Sequence, residues 1–443
     1  MSAVTIFRGT IFHTPADAFQ LDDSALSAFD DGGLAVRDGR VVACGEYADI
    51  RAHHPDATAI DWRSGVILPG FIDTHTHFPQ LRVAGSLGRD LLGWLEAVAL
   101  PEEAAMADVA YATSTATQFV QQLVGHGTTT AMVFGAHFAG ATAALFDAAE
   151  QSGVRLVSGL VCADRLLRDD LRQTPSRAYE DNADLIRRYH KRGRLLYAVT
   201  PRFAVSASEA MLEVCQTLVR EFPDVRVQSH LNENPHEIAQ VAKLFPWAAD
   251  YLGVYERYAL TGPRAVMAHD VHATAPEIER LAASRTSVAH CPSSNSSLGS
   301  GVFPMKRHLA AGVHVAMGTD IGAGVTFSIA REALEAYLIQ NVAPDGQVLR
   351  PCHLLYLATA AGAKALGLSV DIGDFAAGKA ADFVCVRPRA GSLLAGAFDR
   401  AREFRDKLGF VFSVGRPEDI SEVRVSGDVV FAAGSPRPAT TRF

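Results

Sequence analysis

The segment DTHTHFPQ places two histidines, His75 and His77, one residue apart at the end of an apolar run. In a regular strand, residues separated by one position point to the same face, so both imidazoles project from one side of the sheet. Two imidazoles on one face can supply half of a metal site. A lone histidine among the 16 of this chain is better interpreted as a surface or core residue, so the pair needs further ligands to indicate metal binding.

Two further ligand types follow at the ends of later apolar runs. His230 in SHLNEN adds a third imidazole, and Asp320 in GTD adds a carboxylate oxygen. Three imidazoles and one carboxylate suit Zn²⁺, with Fe²⁺ less favoured, and they leave room for a water molecule. Because Zn²⁺ lowers the pKa of such a water to about 7, the sequence predicts a hydrolytic site with one zinc ion per chain.

Hydrolysis at such a site also needs groups that move protons. Glu233 lies three residues after His230, beyond the strand end, where its carboxyl group can turn back toward the metal. We expect His269 to hydrogen-bond the nucleophile or polarise the reacting bond, and Asp320 to take the proton of the water. Seven other histidines are assigned supporting, structural or surface positions: His53, His54, His190, His272, His290, His308 and His314.

The candidate site residues lie at the carboxyl ends of four of eight apolar runs. The runs span 65–78, 127–135, 154–161, 195–203, 225–233, 264–272, 286–295 and 313–320. Helical stretches rich in alanine, glutamate and arginine alternate with them, a pattern typical of a parallel sheet with crossover helices. Eight strands predict a closed (β/α)₈ barrel, whose chemistry resides at the carboxyl ends of its strands. We expect this catalytic domain to span 66–368, and a small β-sandwich domain to form from 1–65 and 369–443.

Composition excludes several classes of function. Of the 443 residues, 48% are hydrophobic and 20% are charged, which is typical of a globular chain. The net charge of −8 argues against nucleic acid as a partner and suits a small neutral substrate. The six cysteines form no Cys-x-x-Cys pair, the segment MSAVTIFRGTIF does not have the pattern of a secretory leader, and no apolar run reaches the length of a spanning helix. We therefore expect a cytoplasmic protein with no membrane partner.

Several segments together resemble the amidohydrolase superfamily, and within it the guanine deaminases, over nearly the whole chain. The His-x-His pair and GTD are shared by many amidohydrolases, whereas FPQ, TPRF and SNSSLGSG are more specific. The resemblance implies one zinc ion on His75, His77, His230 and Asp320, with Glu233 as proton shuttle and His269 beside it. It also implies hydrolysis of guanine to xanthine and ammonia in purine catabolism, commonly by a homodimer, with substrate contacts from three residues: Gln80, Arg202 and Phe203.

These three contacts are chemically reasonable for guanine. The Arg202 guanidinium only donates, and guanine presents O6 and N7 as acceptors. Adenine would place an amino donor against Arg202, and such unpaired polar groups discriminate strongly. Gln80 offers both a donor and an acceptor to the ring edge, and Phe203 offers a face for stacking. Without the resemblance, we would interpret the three as an exposed arginine, a surface glutamine and a core phenylalanine.

Three other functions compete with this interpretation of the sequence. Related deaminases of 8-oxoguanine, a pterin or a triazine would share the metal and the shuttle, and Arg89 and Asp270 leave the pocket electrostatics open between these substrates. The unrelated zinc deaminase fold requires Pro-Cys-x-x-Cys, and Pro351-Cys352 is followed by no second cysteine at that spacing. A metal-free scaffold on an enzyme fold would not need intact ligands, so the complete ligand set argues against it.

Overall fold

The computed structural model describes residues 3–434. Within these residues the strands are β1 Thr5–His13, β2 Ser27–Arg37, β3 Arg40–Glu46, β4 Thr58–Pro69, β5 Phe71–His77, β6 Thr128–Phe134, β7 Arg155–Gly159, β8 Val161–Cys162, β9 Leu195–Pro201, β10 Arg226–Leu231, β11 Ala265–His269, β12 Ser287–His290, β13 Val315–Met317, β14 Phe383–Val386, β15 Ile420–Val425 and β16 Asp428–Ala432.

The helices of the same residues are α1 Ala18–Leu21, α2 Tyr47–His53, α3 Leu91–Trp94, α4 Leu100–Ala105, α5 Val109–Gly125, α6 Ala139–Ser152, α7 Pro175–Tyr189, α8 Glu209–Glu221, α9 Pro235–Leu244, α10 Tyr251–Arg257, α11 Ala275–Ser284, α12 Pro292–Ser297, α13 Met305–Ala310, α14 Ile329–Val342, α15 Pro351–Ala358, α16 Ala360–Ala365, α17 Leu393–Asp399 and α18 Asp406–Val414. A single π-helical turn, Leu95–Ala99, joins α3 to α4.

Eight parallel strands form a barrel in the order β5, β6, β7, β9, β10, β11, β12 and β13, and the short β8 pairs with β9. Two hydrogen bonds bring the last strand beside the first: Asp320 N donates to His75 O at 2.8 Å, and Thr74 Oγ1 donates to Met317 O at 2.8 Å. Each of the eight predicted runs contains one of these strands. The predicted barrel is therefore confirmed.

The barrel strands are buried on both faces, which is why they appear in the sequence as continuous apolar runs. Every residue of β5 and β6 is buried. The crossover helices bury one stripe each, as α5 does with Ala112, Ala116, Phe119 and Leu123 at helical spacing. That helix begins after Asp108, whose carboxylate accepts hydrogen bonds from two backbone amides of the first turn.

A second sheet combines strands from both ends of the chain in the order β16-β15-β14-β4-β1-β2-β3. Its core includes Phe7, Trp62 and Phe383. This sheet fits the predicted small domain, although residues 435–443 of that prediction lie outside the described residues and the exact boundaries stay a prediction. The strand β4 runs past position 65, and only Gly70 separates it from barrel strand β5.

No helix among residues 3–434 is both long enough and apolar enough to cross a lipid bilayer.

Candidate active site

The residues predicted to do chemistry meet at the carboxyl end of the barrel. His75 and His77 end β5, His230 lies in β10, and His269 ends β11. Asp320 follows β13 by three residues. Two of these residues adopt left-handed backbone conformations, with φ of 74° at His269 and 48° at Asp320. Such conformations cost free energy in a non-glycine residue and are concentrated at functional sites, where the surrounding structure imposes them.

Three imidazole nitrogens and one carboxylate oxygen form a compact buried cluster. Nε2 of His77 lies 3.3 Å from Nε2 of His75 and 3.3 Å from Nε2 of His230. Oδ1 of Asp320 lies 3.2 Å from the His75 nitrogen and 3.1 Å from the His77 nitrogen. Ligand atoms about 2.0 to 2.1 Å from one tetrahedral zinc ion lie roughly 3.3 Å from one another, so these separations fit such an ion.

The hydrogen bonds around the cluster leave lone pairs directed into it. His230 Nδ1 lies 2.6 Å from the backbone oxygen of Arg202 and must donate its proton there, so Nε2 is unprotonated in the neutral ring. His269 Nδ1 lies 2.9 Å from Asn295 Oδ1, and its buried Nε2 has no hydrogen-bond partner among the described residues. Lone pairs facing one another at these distances repel unless a cation lies between them. The residues therefore fit a metal ion.

Two overlapping sets of ligands can be drawn from these residues. His75, His230, His269 and Asp320 place one ligand atom each within 4.8 Å of one another. His269, however, lies 3.8 Å from the nearer Asp320 oxygen, whereas His77 lies at 3.1 Å. We prefer the set with His77 because its separations match coordination distances, which leaves His269 at the edge of the cluster.

The electrostatics of the cluster favour an ionised Asp320 and neutral rings at His75 and His230. Burial alone would raise the pKa of Asp320, but His75, His77 and His269 hold it well below its usual range. Burial lowers the pKa of His75 to about 4, and it also lowers the pKa of His230. Neutral imidazole and ionised carboxylate are the forms that bind metal.

Glu233 lies beside the cluster and is buried. Its Oε2 is 3.6 Å from Nε2 of His269, and its Oε1 accepts a hydrogen bond of 3.2 Å from Ser300 Oγ. Burial, followed by the charge of Asp320, raises its pKa to about 8. A carboxyl group that titrates near neutral pH can both take up and release a proton, as a general acid–base residue must.

The cluster opens into a small cleft at the carboxyl end of the barrel. Its lining combines apolar side chains with polar groups: His77, Gln80, Leu91, Trp94, Leu95, Arg202, Phe203, His230, Glu233, Leu298, Asp320 and Ala323. The apolar residues of α3 and the π-helical turn cover one side of the cleft. All three predicted substrate contacts, Gln80, Arg202 and Phe203, therefore line the same cleft as the cluster.

Sequence reasoning missed Glu103, which organises the polar wall of the cleft. Its Oε1 accepts hydrogen bonds from Gln80 Nε2 at 2.7 Å and from Arg202 Nη2 at 2.9 Å. Its Oε2 lies 3.0 Å from His137 Nε2. Burial alone would raise the pKa of Glu103, but Arg202 and His137 hold it well below its usual range. Only its position directly after another glutamate marks it in the sequence, where both resemble surface charges.

Arg89 and Asp270, whose effect on the charge of the pocket the sequence could not decide, do not line the cleft. Arg89 is exposed. Asp270 is fully buried, where it accepts hydrogen bonds from His308 at 2.8 Å and from Asn232 at 2.9 Å. Asp270 therefore supports the turn that carries His269, and His308 has a structural partner.

Other side chains support the cluster from outside. Asp73 accepts hydrogen bonds from Thr319 Oγ1 at 2.5 Å and from the backbone amides of Thr319 and His75, so it ties the segment before Asp320 to β5. Ser294 Oγ donates to Asp320 Oδ2 at 2.6 Å, which leaves Oδ1 for the histidine cluster. None of these contacts was predicted from the sequence.

Comparison with known proteins agrees with this architecture. Residues 66–430 match the amidohydrolase family, and residues 32–57 match an imidazolonepropionase-like composite domain of bacteria. The chain belongs to the amidohydrolase family and is a hydrolytic deaminase.

Within that family, its similar relatives are guanine deaminases. A probable guanine deaminase of Deinococcus radiodurans is 54% identical, over 96% of this chain and 98% of the relative. The structure of guanine deaminase from Escherichia coli has a TM-score of 0.93 and 39% identity, and it covers 97% of this chain and 100% of that one. The guanine deaminase of C. acetobutylicum with bound guanine has a TM-score of 0.89 and 27% identity, with 97% and 100% covered.

Proposed function

We propose that this protein is a zinc-dependent guanine deaminase that converts guanine and water to xanthine and ammonia in purine catabolism. One observation carries the proposal: the metal-type cluster, the buried Glu233 and the polar wall of Arg202 and Gln80 face one small cleft. The similarity to guanine deaminases over nearly the whole chain supports the same substrate.

Four residues would hold one zinc ion: His75, His77, His230 and Asp320. When bound, zinc supplies the positive charge that activates water as a nucleophile near neutral pH. His269 lies within 3.8 Å of Asp320 and 3.6 Å of Glu233, so it would hydrogen-bond the attacking oxygen rather than the ion.

Glu233 would carry protons during the reaction. A bond forms between the water oxygen and C2 of guanine, the bond from C2 to the amino nitrogen breaks, and the amine leaves as ammonia with a proton from the water. With a pKa of about 8, the Glu233 carboxyl can take the two protons of the water in turn, returning the first to a ring nitrogen and the second to the leaving group. Its buried position beside the cluster holds it within reach of both.

Arg202, Gln80 and Phe203 would bind the base. The Arg202 guanidinium donates to the O6 and N7 edge of guanine, Phe203 packs against the ring, and Gln80 contacts a ring edge. The guanidinium carbon of Arg202 lies 5.5 Å from the centroid of the Phe203 ring, so the two side chains form one surface.

The decisive experiment is a substrate panel for the purified protein. Ammonia release would be measured with guanine, 8-oxoguanine, adenine, a pterin and a triazine, and the product from guanine identified as xanthine by its absorbance. We expect guanine to have the highest kcat/KM. A higher value for another member of the panel would reassign the substrate, and no ammonia from any of them by zinc-loaded protein would refute deamination.

A matched pair of variants tests the role of Glu233. Glu233→Gln preserves shape but cannot cycle a proton, so turnover should fall by more than about a thousandfold while metal content stays. Glu332→Gln is the control, because Glu332 is also a fully buried carboxyl with a pKa raised to about 8, yet it binds Ser293 and does not line the cleft. A fall below tenfold for Glu233→Gln would reject the proton shuttle.

The proposal extends to cytoplasmic location and a homodimer. Six unpaired cysteines, five of them buried, are consistent with a reducing compartment. Light scattering of the purified protein gives the oligomeric state directly, and a mass of one chain would refute the dimer.

A further inference from the structure

The buried carboxylate of Glu103 connects the two polar side chains of the proposed base-binding wall. Gln80 and Arg202 both donate to its Oε1, and His137 approaches its Oε2. All four residues are at most 5% exposed. Since they are almost completely shielded from solvent, each hydrogen bond restricts how its partner can face the cleft.

The contact with Glu103 decides which atom of the Gln80 amide faces the cleft. An ionised carboxylate can only accept, so the atom at 2.7 Å must be the amide nitrogen. The carbonyl oxygen of Gln80 is therefore the atom left for a ligand, and no hydrogen bond among the described residues uses it. Gln80 thus acts as an acceptor, which narrows the sequence-based interpretation in which it offered both a donor and an acceptor.

Glu103 also holds Arg202, but Arg202 presents donors, whereas Gln80 presents an acceptor. Its Nη2 is bound to Glu103 at 2.9 Å, while its remaining N–H groups have no acceptor among the described residues. The cleft consequently presents donors from Arg202 and an acceptor from Gln80, both held by one carboxylate.

His137 contacts the second carboxylate oxygen of Glu103, Oε2. Its Nε2 faces Glu103 at 3.0 Å and its Nδ1 faces the backbone oxygen of Leu171 at 3.1 Å. Both contacts are satisfied when both nitrogens carry a proton. Neither Glu103 nor His137 lines the cleft, so they act through Arg202 and Gln80 and not by touching a ligand.

We propose that Glu103 is a positioning residue that sets the hydrogen-bonding polarity of the pocket, so that it selects a lactam ring with a carbonyl acceptor and an adjacent ring N–H donor. This inference rests on the proposed function. Guanine in its 6-oxo form has both groups, whereas 2-aminopurine keeps the amine at C2 but lacks the carbonyl and the N–H donor of the six-membered ring. A ligand without the carbonyl leaves the Arg202 donors unpaired, and a ligand without the ring N–H leaves the Gln80 oxygen unpaired. Either loss lowers the affinity for that ligand.

The test compares Glu103→Gln with wild type on two ligands in zinc-loaded protein. Guanine is measured by kcat/KM, and 2-aminopurine by its inhibition constant against guanine. A neutral amide loosens the hold on Arg202 and lets Gln80 reverse, so kcat/KM for guanine should fall about ten- to hundredfold. The affinity for 2-aminopurine should change by less than about threefold, because this ligand lacks the carbonyl and the ring N–H that Arg202 and Gln80 would contact.

Glu102→Gln is the matched control, since Glu102 is the preceding residue on α4 and accepts from Tyr111 outside the cleft. It should leave both ligands unchanged. Equal losses for both ligands with Glu103→Gln, loss of the metal, or no loss at all would overturn the positioning role.

If Glu103→Gln does not fold, Glu103→Asp replaces it in the test, because aspartate keeps the charge but places the carboxylate farther from Gln80 and Arg202. The same comparison applies: kcat/KM for guanine should fall more than the affinity for 2-aminopurine. Failure of wild type to deaminate guanine would refute the proposed function instead, so the two failures are distinguishable.

Discussion

Replacement of Arg202 should affect substrate recognition and stability together, because this side chain faces both the cleft and Glu103. Charge-assisted hydrogen bonds are worth about 1.5 to 3 kcal/mol, so Arg202→Ala should lower kcat/KM for guanine by about ten- to hundredfold or more. The loss should appear while zinc content stays at one equivalent, since Arg202 contributes only a backbone oxygen to the cluster, as acceptor from His230.

The stability effect follows from burial. Arg202 and Glu103 are 5% and 4% exposed, and breaking a buried ion pair costs about 3 to 5 kcal/mol. Gln80 and His137 still donate to the carboxylate in Arg202→Ala, so we expect a loss near the lower end, about 3 kcal/mol of unfolding free energy. Urea unfolding followed by circular dichroism measures it.

Arg202→Lys separates the two effects. An ammonium group can keep a positive charge against Glu103, so the loss of unfolding free energy should be less than half that of Arg202→Ala. It does not reproduce the planar fork that meets two acceptors, so kcat/KM should stay well below wild type. Arg192→Ala, which breaks an exposed ion pair with Glu150, is the control and should change neither quantity appreciably. Wild-type kcat/KM in Arg202→Ala would refute the recognition role.

Three further predictions concern the metal, the pH dependence and the link between the two sheets. Elemental analysis should give one metal equivalent per chain, and His75→Ala should lose both metal and activity; two equivalents, or activity without metal, would contradict the site. Burial lowers the pKa of His13 to about 4. The contribution of the neutral ring to the unfolding free energy is therefore fully present above pH 6.5 and is lost as the pH falls toward 4. Between neutral pH and about pH 5, the wild-type unfolding free energy measured with urea should fall by about 2 kcal/mol more than that of His13→Gln. Equal losses in the two proteins would contradict this prediction. Asp382→Ala removes the carboxylate that lies 2.6 Å from Arg155 and so breaks an ion pair between the barrel and the second sheet. The unfolding free energy should fall by about 2 kcal/mol while kcat/KM stays unchanged. An unchanged urea midpoint would contradict a stabilising role for this ion pair.

The barrel and the metal-type cluster could be predicted from the sequence because both follow from local patterns. Parallel strands buried on both faces appear as apolar runs, and side chains at their carboxyl ends share one face of the barrel. His75, His77 and Asp320 could therefore be placed together without coordinates.

The polar wall of the cleft could not be predicted in the same way. Glu102 and Glu103 are adjacent and chemically identical, and the π-helical turn before α4 decides which of them points inward. His137 lies in a loop whose path depends on tertiary packing. The order of the second sheet, with β1 parallel to β4, likewise depends on contacts between distant segments.

The passage from β4 to β5 through Gly70 affects how the chain folds during synthesis. A Cβ atom at Gly70 would lie 2.2 Å from Thr129 Oγ1, so the chain crosses at a point with no room for a side chain. The first barrel strand thus follows directly on β4, whose neighbour in the second sheet, β14, leaves the ribosome after all the barrel strands. Until Phe383–Val386 emerges, the edge of β4 lacks its partner, and the nascent chain exposes an unpaired strand edge. Strand β14 therefore completes the pairing of β4 only after the barrel strands have been made, and it covers an edge prone to aggregation.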